Sequence, residues 1–283
     1  MQFDMKDEEK KVIIALWGPQ GTGKTTTLRK LALEFLDSPK VEEDIQVGFL
    51  YYKKNKKKPT KIVVSTAEDT RVNVDFYTEL MAQTLILVTT TRIKDQTGEI
   101  NVVAELVRKG DADPEQEKID NGLELEIKGL ISSIAQEGTA TLRQFLLRLL
   151  QSEVVEGDIQ IAFHYKGKRI VISTAGDDRE TVNEGRGLFK ALKADILVTA
   201  TRSRGSSRDA LKALEEDGEI KTKAIRIYQS NLTHGESNNE EETEPLKESI
   251  TAEQIEIIRN TINRGQAKII KSVIDNIIDE WEK

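Results

Sequence analysis

The sequence predicts an α/β protein made of two tandem units of one design, each a β-sheet flanked by helices, followed by a C-terminal amphipathic helix. Three observations predict this. Short apolar, β-branched runs alternate with segments of helical periodicity. The order of those segments occurs twice along the chain. The final segment, 250–283, carries an apolar stripe at helical spacing behind an acidic stretch with almost nothing to bury.

The elements follow in order. "KKVIIALWG" is an apolar run ending in glycine, as a buried parallel strand would be. "TTLRKLALEFL" places Leu28, Leu31, Ala32 and Phe35 on one helical face. "DIQVGFLYY" and "TKIVVSTA" are rich in β-formers and joined by "KKNKKKP", which reads as a hairpin with a lysine-rich tip that protects an edge from aggregation. "VNVDFYTELMAQ" reads as a helix and "TLILVTTTR" as the next strand. Beyond it, "GDADPEQEKIDNG" contains Pro114 and several acids and offers no strand.

The second unit repeats the first. Residues 27–52 align without a gap with 141–166, an offset of 114 (141 − 27). "KIVVSTAEDTR" (61–71) then matches "RIVISTAGDDR" (169–179), and "LILVTTTR" (85–92) matches "DILVTATR" (195–202). Blocks recurring in one order point to internal duplication. "SSRDALKALEEDG" and "TKAIRIYQS" add a helix and a final strand. The expected division is 1–118, 119–230, an acidic linker at 231–249, and a helix at 250–283. In that helix Thr251 and Gln254 fit a capping box, and Ile255, Ile258, Ile262, Ile269, Val273, Ile277 and Trp281 form the stripe. It either docks on its own domain or serves a protein partner or self-association.

Composition excludes several classes. A formal net charge of −7 argues against a nucleic-acid-coating protein. The absence of cysteine excludes disulfides, thiolate catalysis and zinc–thiolate sites. His164 and His234 show no metal-ligand spacing. "MQFDMKDEEKK" lacks the apolar core of a signal peptide, and "VIIALW" is too short to span a bilayer. The expectation is a cytoplasmic protein with no membrane contact.

One motif carries chemistry. Gly18, Gly23, Lys24 and Thr25 satisfy G-x-x-x-x-G-K-[ST], between an apolar strand and a helix. Glycines let successive amides point inward as an anion nest, and the helix start adds its positive dipole end. Lys24 reaches for the β- and γ-phosphates and the Thr25 hydroxyl for Mg²⁺. The binding set is therefore Gly18, Gly21, Thr22, Gly23, Lys24, Thr25 and Thr26, with a nucleoside triphosphate and Mg²⁺ as ligands. Both units are read as P-loop NTPase-like.

"GPQGTGKTTTLRKLA" resembles the phosphate loop and following helix of signal-recognition-particle type GTPases, and "IVISTAGDDR" resembles their "DTAGR" strand end. The hairpin between the second and third strands is similar to that of small Ras-like GTPases. The resemblance implies a P-loop fold and triphosphate binding. The family's D-x-x-G aspartate, which holds Mg²⁺ through water, is Ser65 in one unit and Ser173 in the other. Its glycine is Glu68 in the first unit and survives as Gly176 in the second. The guanine-reading [NT]-K-x-D is absent, which favours ATP over GTP.

Under the offset, the loop of the second unit is eroded. Gly18 becomes Ser132, Gly21 Ala135, Gly23 Glu137 and Lys24 Gly138, while Thr25 keeps its type as Thr139. A carboxylate replacing the lysine repels phosphate, so the second unit reads as an inactive copy that offers the first a partner surface. Candidate chemistry falls on the first unit's strand ends, where ligands sit in open α/β sheets. Ser65 and Asp69 join Thr25 as Mg²⁺ partners, Asp69 also orienting water or capping the next helix. Arg92 meets a phosphate or pairs with Asp69. Arg202, Arg204 and Arg208 form a basic loop that could act across the two halves. The function expected is a Mg²⁺-dependent triphosphatase acting as a switch or regulator. A small-molecule or nucleotide kinase and a weakly hydrolysing binding scaffold are the alternatives.

Overall fold

The computed structural model describes residues 11–42, 45–51, 60–65, 84–93, 100–108, 114–136, 141–152, 155–202, 205–215, 222–228 and 252–282. The strands are β1 (Lys11–Gly18), β2 (Gln46–Tyr51), β3 (Thr60–Ser65), β4 (Thr84–Ile93), β5 (Ile100–Arg108), β6 (Glu156–Tyr165), β7 (Lys168–Ser173), β8 (Ile196–Arg202) and β9 (Thr222–Tyr228). The helices are α1 (Lys24–Leu36), α2 (Pro114–Gln136), α3 (Leu142–Gln151), α4 (Arg179–Ala191), α5 (Ser206–Glu215) and α6 (Ala252–Trp281). No described helix is long and apolar enough to cross a membrane.

All nine strands form one mixed sheet in the order β5-β4-β3-β2-β6-β7-β8-β1-β9. The repeat is visible in its registers. Gln46 pairs with Ser65 and Gln160 with Ser173, both antiparallel. Ser65 pairs with Thr89 and Ser173 with Thr199, both parallel. The copies meet at an antiparallel β2–β6 seam, where Gln46 faces Ala162, Val47 faces Ile161 and Gly48 faces Gln160. Under the 114-residue offset the first and third of these pairs exchange and the second maps onto itself. The seam is thus self-complementary, as a two-fold interface between identical chains would be.

The expected division point at 118/119 falls inside α2, and both copies share the one sheet. The strand of the phosphate loop, β1, does not join the strands of its own copy. It lies between β8 and β9, parallel to both, at the far side of the second copy. Paired on two edges and covered on two faces, Ile13, Ile14, Ala15 and Leu16 are fully buried, which is why this strand reads as a continuous apolar run. The second copy forms no strand there. Ser132 and Ala135, aligned with Gly18 and Gly21, lie inside α2, whose Leu123, Ile127 and Ile131 face the core. The eroded-loop reading of this stretch is therefore corrected to helix as far as Gln136, and Glu137, Gly138 and Thr139 lie outside the described residues. Both α2 and β5 went unread in the sequence.

Helices cover both faces. Against one face pack Leu28, Leu31 and Phe35 of α1, Phe145 and Leu149 of α3, the α2 residues, and Ala267, Ile270 and Ile274 of α6. Against the other pack Val182, Leu188 and Phe189 of α4 and Ala210 and Leu211 of α5. The C-terminal helix therefore docks on its own chain, with Ile277, Val273 and Trp281 of the expected stripe packed in or against the core. Ile270, Ile274 and Ile278 are fully buried, whereas Ile258 and Ile269 of the expected stripe are exposed. The small Ala267, also fully buried, lies on the docked face and permits close approach to α1. The stretches 52–59, 66–83 and 231–251, which carry the lysine-rich tip, the helix read in "VNVDFYTELMAQ", the acidic linker and the start of the capping box, lie outside the described residues.

Candidate nucleotide site

The loop after β1 folds as its glycines require. Gly21 and Gly23 take left-handed backbone at φ 78° and 86°, a conformation costly for any residue with a Cβ. Gly23 is the N-cap of α1, and its carbonyl accepts the Thr27 amide at 2.8 Å. No side chain caps this helix and no acid sits in its first turn, so the positive end of its dipole is left to a ligand. Thr22 Oγ1 donates to the Pro19 carbonyl at 3.0 Å, closing the loop on itself. Lys24 is buried, and Nζ donates to the carbonyls of Gly18 at 3.0 Å and Pro19 at 2.7 Å. Burial lowers its pKa, the nearby Asp177 opposes that, and Arg202 adds to it. Thr26 is exposed beside them.

The charged and hydroxyl groups at the mouth of this loop come from the second copy. Thr25 Oγ1 donates to Asp158 Oδ1 at 3.3 Å. Thr174 Oγ1 donates to the same oxygen at 2.9 Å while accepting the Ile159 amide at 2.8 Å. Arg202 ends β8 in register with Gly18. Its guanidinium grips Asp177 in two-pronged fashion, Nε to Oδ1 and Nη2 to Oδ2, each at 3.2 Å. That pairing raises the Arg202 pKa. The helix cap is the neighbouring Asp178, which makes a capping box with Thr181 and leaves Asp177 to the arginine. Gly176 lies so close to β8 that a Cβ there would meet the Ala200 carbonyl oxygen at 1.9 Å.

The candidates from the first copy lie elsewhere. Tracing pair directions across the sheet, β3 and β4 run opposite to β1, β7 and β8. The ends of β3 and β4 therefore open on the opposite sheet edge, with five strand spacings, about 24 Å, between β3 and β1. Ser65 is buried on that edge, and Arg92 is the penultimate residue of its strand there. Asp69 lies outside the described residues. The roles expected of Ser65 and Arg92 at the phosphate loop are thus corrected: position for position it is Ser173 and Arg202 that share its edge, as does Asp177. Ser173 does not replace an aspartate. Its Oγ is buried without a hydrogen-bond partner among the described residues and sits against Gly185 of α4.

Sequence reading missed Asp158 and Thr174. Asp158 stood inside the longest aligned block, where "EGDIQ" matches "EEDIQ", but nothing local says which copy turns that acid toward Thr25. Asn263 of α6 also went unnoticed. It is buried, its side chain lies 3.0 Å from where a Gly23 Cβ would stand, and its Oδ1 accepts the Thr27 hydroxyl at 3.2 Å. The C-terminal helix thus braces the back of the loop. No protein-family model, curated protein or solved structure matches the chain.

Proposed function

We propose that this chain is a Mg²⁺-dependent P-loop nucleoside triphosphatase with one site, the loop of the first copy completed by strand ends of the second, acting as a cytoplasmic switch or regulator. The observation that carries the reading is the fold of residues 18–25: two left-handed glycines, an uncapped helix start, and a buried lysine laid across the loop. The second copy, whose Ser132 and Ala135 lie in a helix where the first has its loop glycines, works as scaffold and donor of site residues.

The chain's own groups divide the work of phosphoryl transfer, which is largely positioning and charge stabilisation. Loop amides hold the phosphate tail. Lys24 exchanges its carbonyl partners for phosphate oxygens. Arg202, at the mouth of the site, leaves Asp177 to meet charge developing on the transferred group, and the freed Asp177 carboxylate orients the attacking water. Bound Mg²⁺ would neutralise phosphate charge, with the Thr25 hydroxyl as its protein ligand. The missing guanine-reading motif favours ATP as substrate.

Calorimetric titration of ATP and GTP with Mg²⁺ tests this. One nucleotide per chain, ATP the tighter, and loss of binding in Lys24→Ala are expected. Unchanged affinity in that variant overturns the site. Diphosphate and free phosphate should appear without an acceptor; diphosphate formed only in step with a phosphorylated acceptor would make the protein a kinase.

A further inference from the structure

We propose that Asp158, from the first strand of the second copy, is the carboxylate that holds the divalent cation beside Thr25 when a triphosphate is bound; this rests on the proposed triphosphate site. Magnesium in such sites takes one or two carboxylates, and waters and phosphate oxygens complete its shell. No described cluster of three or more His, Cys, Asp or Glu exists, so among the described residues a single well-placed acid is the candidate ligand.

Three acids of the second copy stand near the loop, and two are committed. Asp177 is gripped by Arg202 through both oxygens, and Asp178 caps α4. Asp158 alone touches the hydroxyl next to Lys24. Its donor neighbourhood is all oxygen: its own carboxylate and the hydroxyls of Thr25 and Thr174. That set suits a hard cation.

The geometry also fixes the carboxylate. Thr174 Oγ1 accepts the Ile159 amide, so its proton is directed at Asp158 Oδ1. Among the described residues, Oδ2 accepts no hydrogen bond and is free to ligate. Arg29 lies within the field of Asp158 but donates Nη2 to the Val155 carbonyl. The negative charge is thus held in place without being consumed by an ion pair. Where the family resemblance would put a metal-holding aspartate, Ser173 supplies no charge and lies against α4. Asp158 supplies the charge from the neighbouring strand, reaching Thr25 from the side.

The test uses the full chain and a slowly hydrolysed ATP analogue, titrated by calorimetry in EDTA and in Mg²⁺, with Mn²⁺ electron paramagnetic resonance as a direct reading of the metal. Asp158→Asn should keep the metal-free affinity within about twofold. It should lose at least about tenfold of the tightening by Mg²⁺, together with the protein-bound Mn²⁺ signal. Full Mg²⁺ tightening in a folded Asp158→Asn overturns the proposal. Absence of analogue binding by the wild type in both buffers overturns the triphosphate reading itself. Should the variant not fold, Fe²⁺-directed backbone cleavage of the wild type with analogue bound decides: cuts near 24–26 and 157–159 are expected, and cuts confined to 65–69 or 176–178 contradict it.

Discussion

Gly18, the last residue of β1, stands in register beside Arg202, the last residue of β8. The first belongs to the phosphate loop of one repeat and the second to a strand end of the other. β1 leaves its own copy to pair with β8 and β9, while the two-fold β2–β6 seam inverts the first copy and sends its strand ends to the opposite edge.

Gly176 survives in the second copy for packing. The atom a Cβ would strike is the Ala200 carbonyl oxygen, part of a strand paired on both sides, so it cannot step back. Gly176→Ala is expected to cost about 3 kcal/mol or more in urea unfolding. Gly21→Ala meets nothing within 4 Å and bears only the strain of φ 78°, about 1 kcal/mol. Equal losses in the two variants would contradict this.

The docked face of α6 makes a second prediction. Ile274 is fully buried on the face that docks on α1, and Ile258 is 45% exposed. Ile274→Ala should lower stability by about 2–5 kcal/mol, and Ile258→Ala by no more than about 0.5. Denaturant midpoints giving the reverse order would restore the stripe read from sequence.

Tyr165 predicts a pH dependence. Buried beside α6, its hydroxyl donates to Asp275 at 2.9 Å. Burial first, and then the Asp275 carboxylate, push its pKa from 10.0 up to about 12. A folded pKa above the unfolded one favours the protonated native state, so this contribution is complete below pH 10 and fades as pH rises toward 12. Tyr165→Phe should therefore be less stable than wild type by a constant margin at neutral pH, and the margin should shrink across that alkaline window. Near-ultraviolet tyrosinate absorbance should lose one late-titrating tyrosine in the variant. A margin that stays flat to pH 12 would count against the hydrogen bond.

What the sequence disclosed was local. The loop of Gly18–Thr25 is legible because one short stretch specifies strand, turn and helix together. The strands of both copies other than β5 were legible from their β-branched runs, and the repeat from ordered blocks. The completion of the site was not legible, since it depends on which strand neighbours which and in what direction. No residue of β2 or β6 declares that they pair with each other and invert the first copy. The helix α2 was hidden for a different reason: the repeat offset drew Ser132 and Ala135 onto the phosphate loop, although Leu123, Ile127, Ile131 and Ile134 already carry helical spacing. Likewise α6 was recognised as a helix and the C-terminal part of its stripe, Val273, Ile277 and Trp281, packs on the core, but the small Ala267 on the docked face gave no apolar signal and Ile258 and Ile269 are exposed.

The central claim is that one working site is assembled from both copies, and the equivalent arginines test it most directly. Single-turnover hydrolysis of ATP by Arg92→Ala and Arg202→Ala compares the two sheet edges in one assay. Arg202→Ala should lose at least about 100-fold in turnover, with diphosphate affinity within about threefold of wild type, and Arg92→Ala should match wild type. Loss of turnover in Arg92→Ala with Arg202→Ala unaffected would contradict the account.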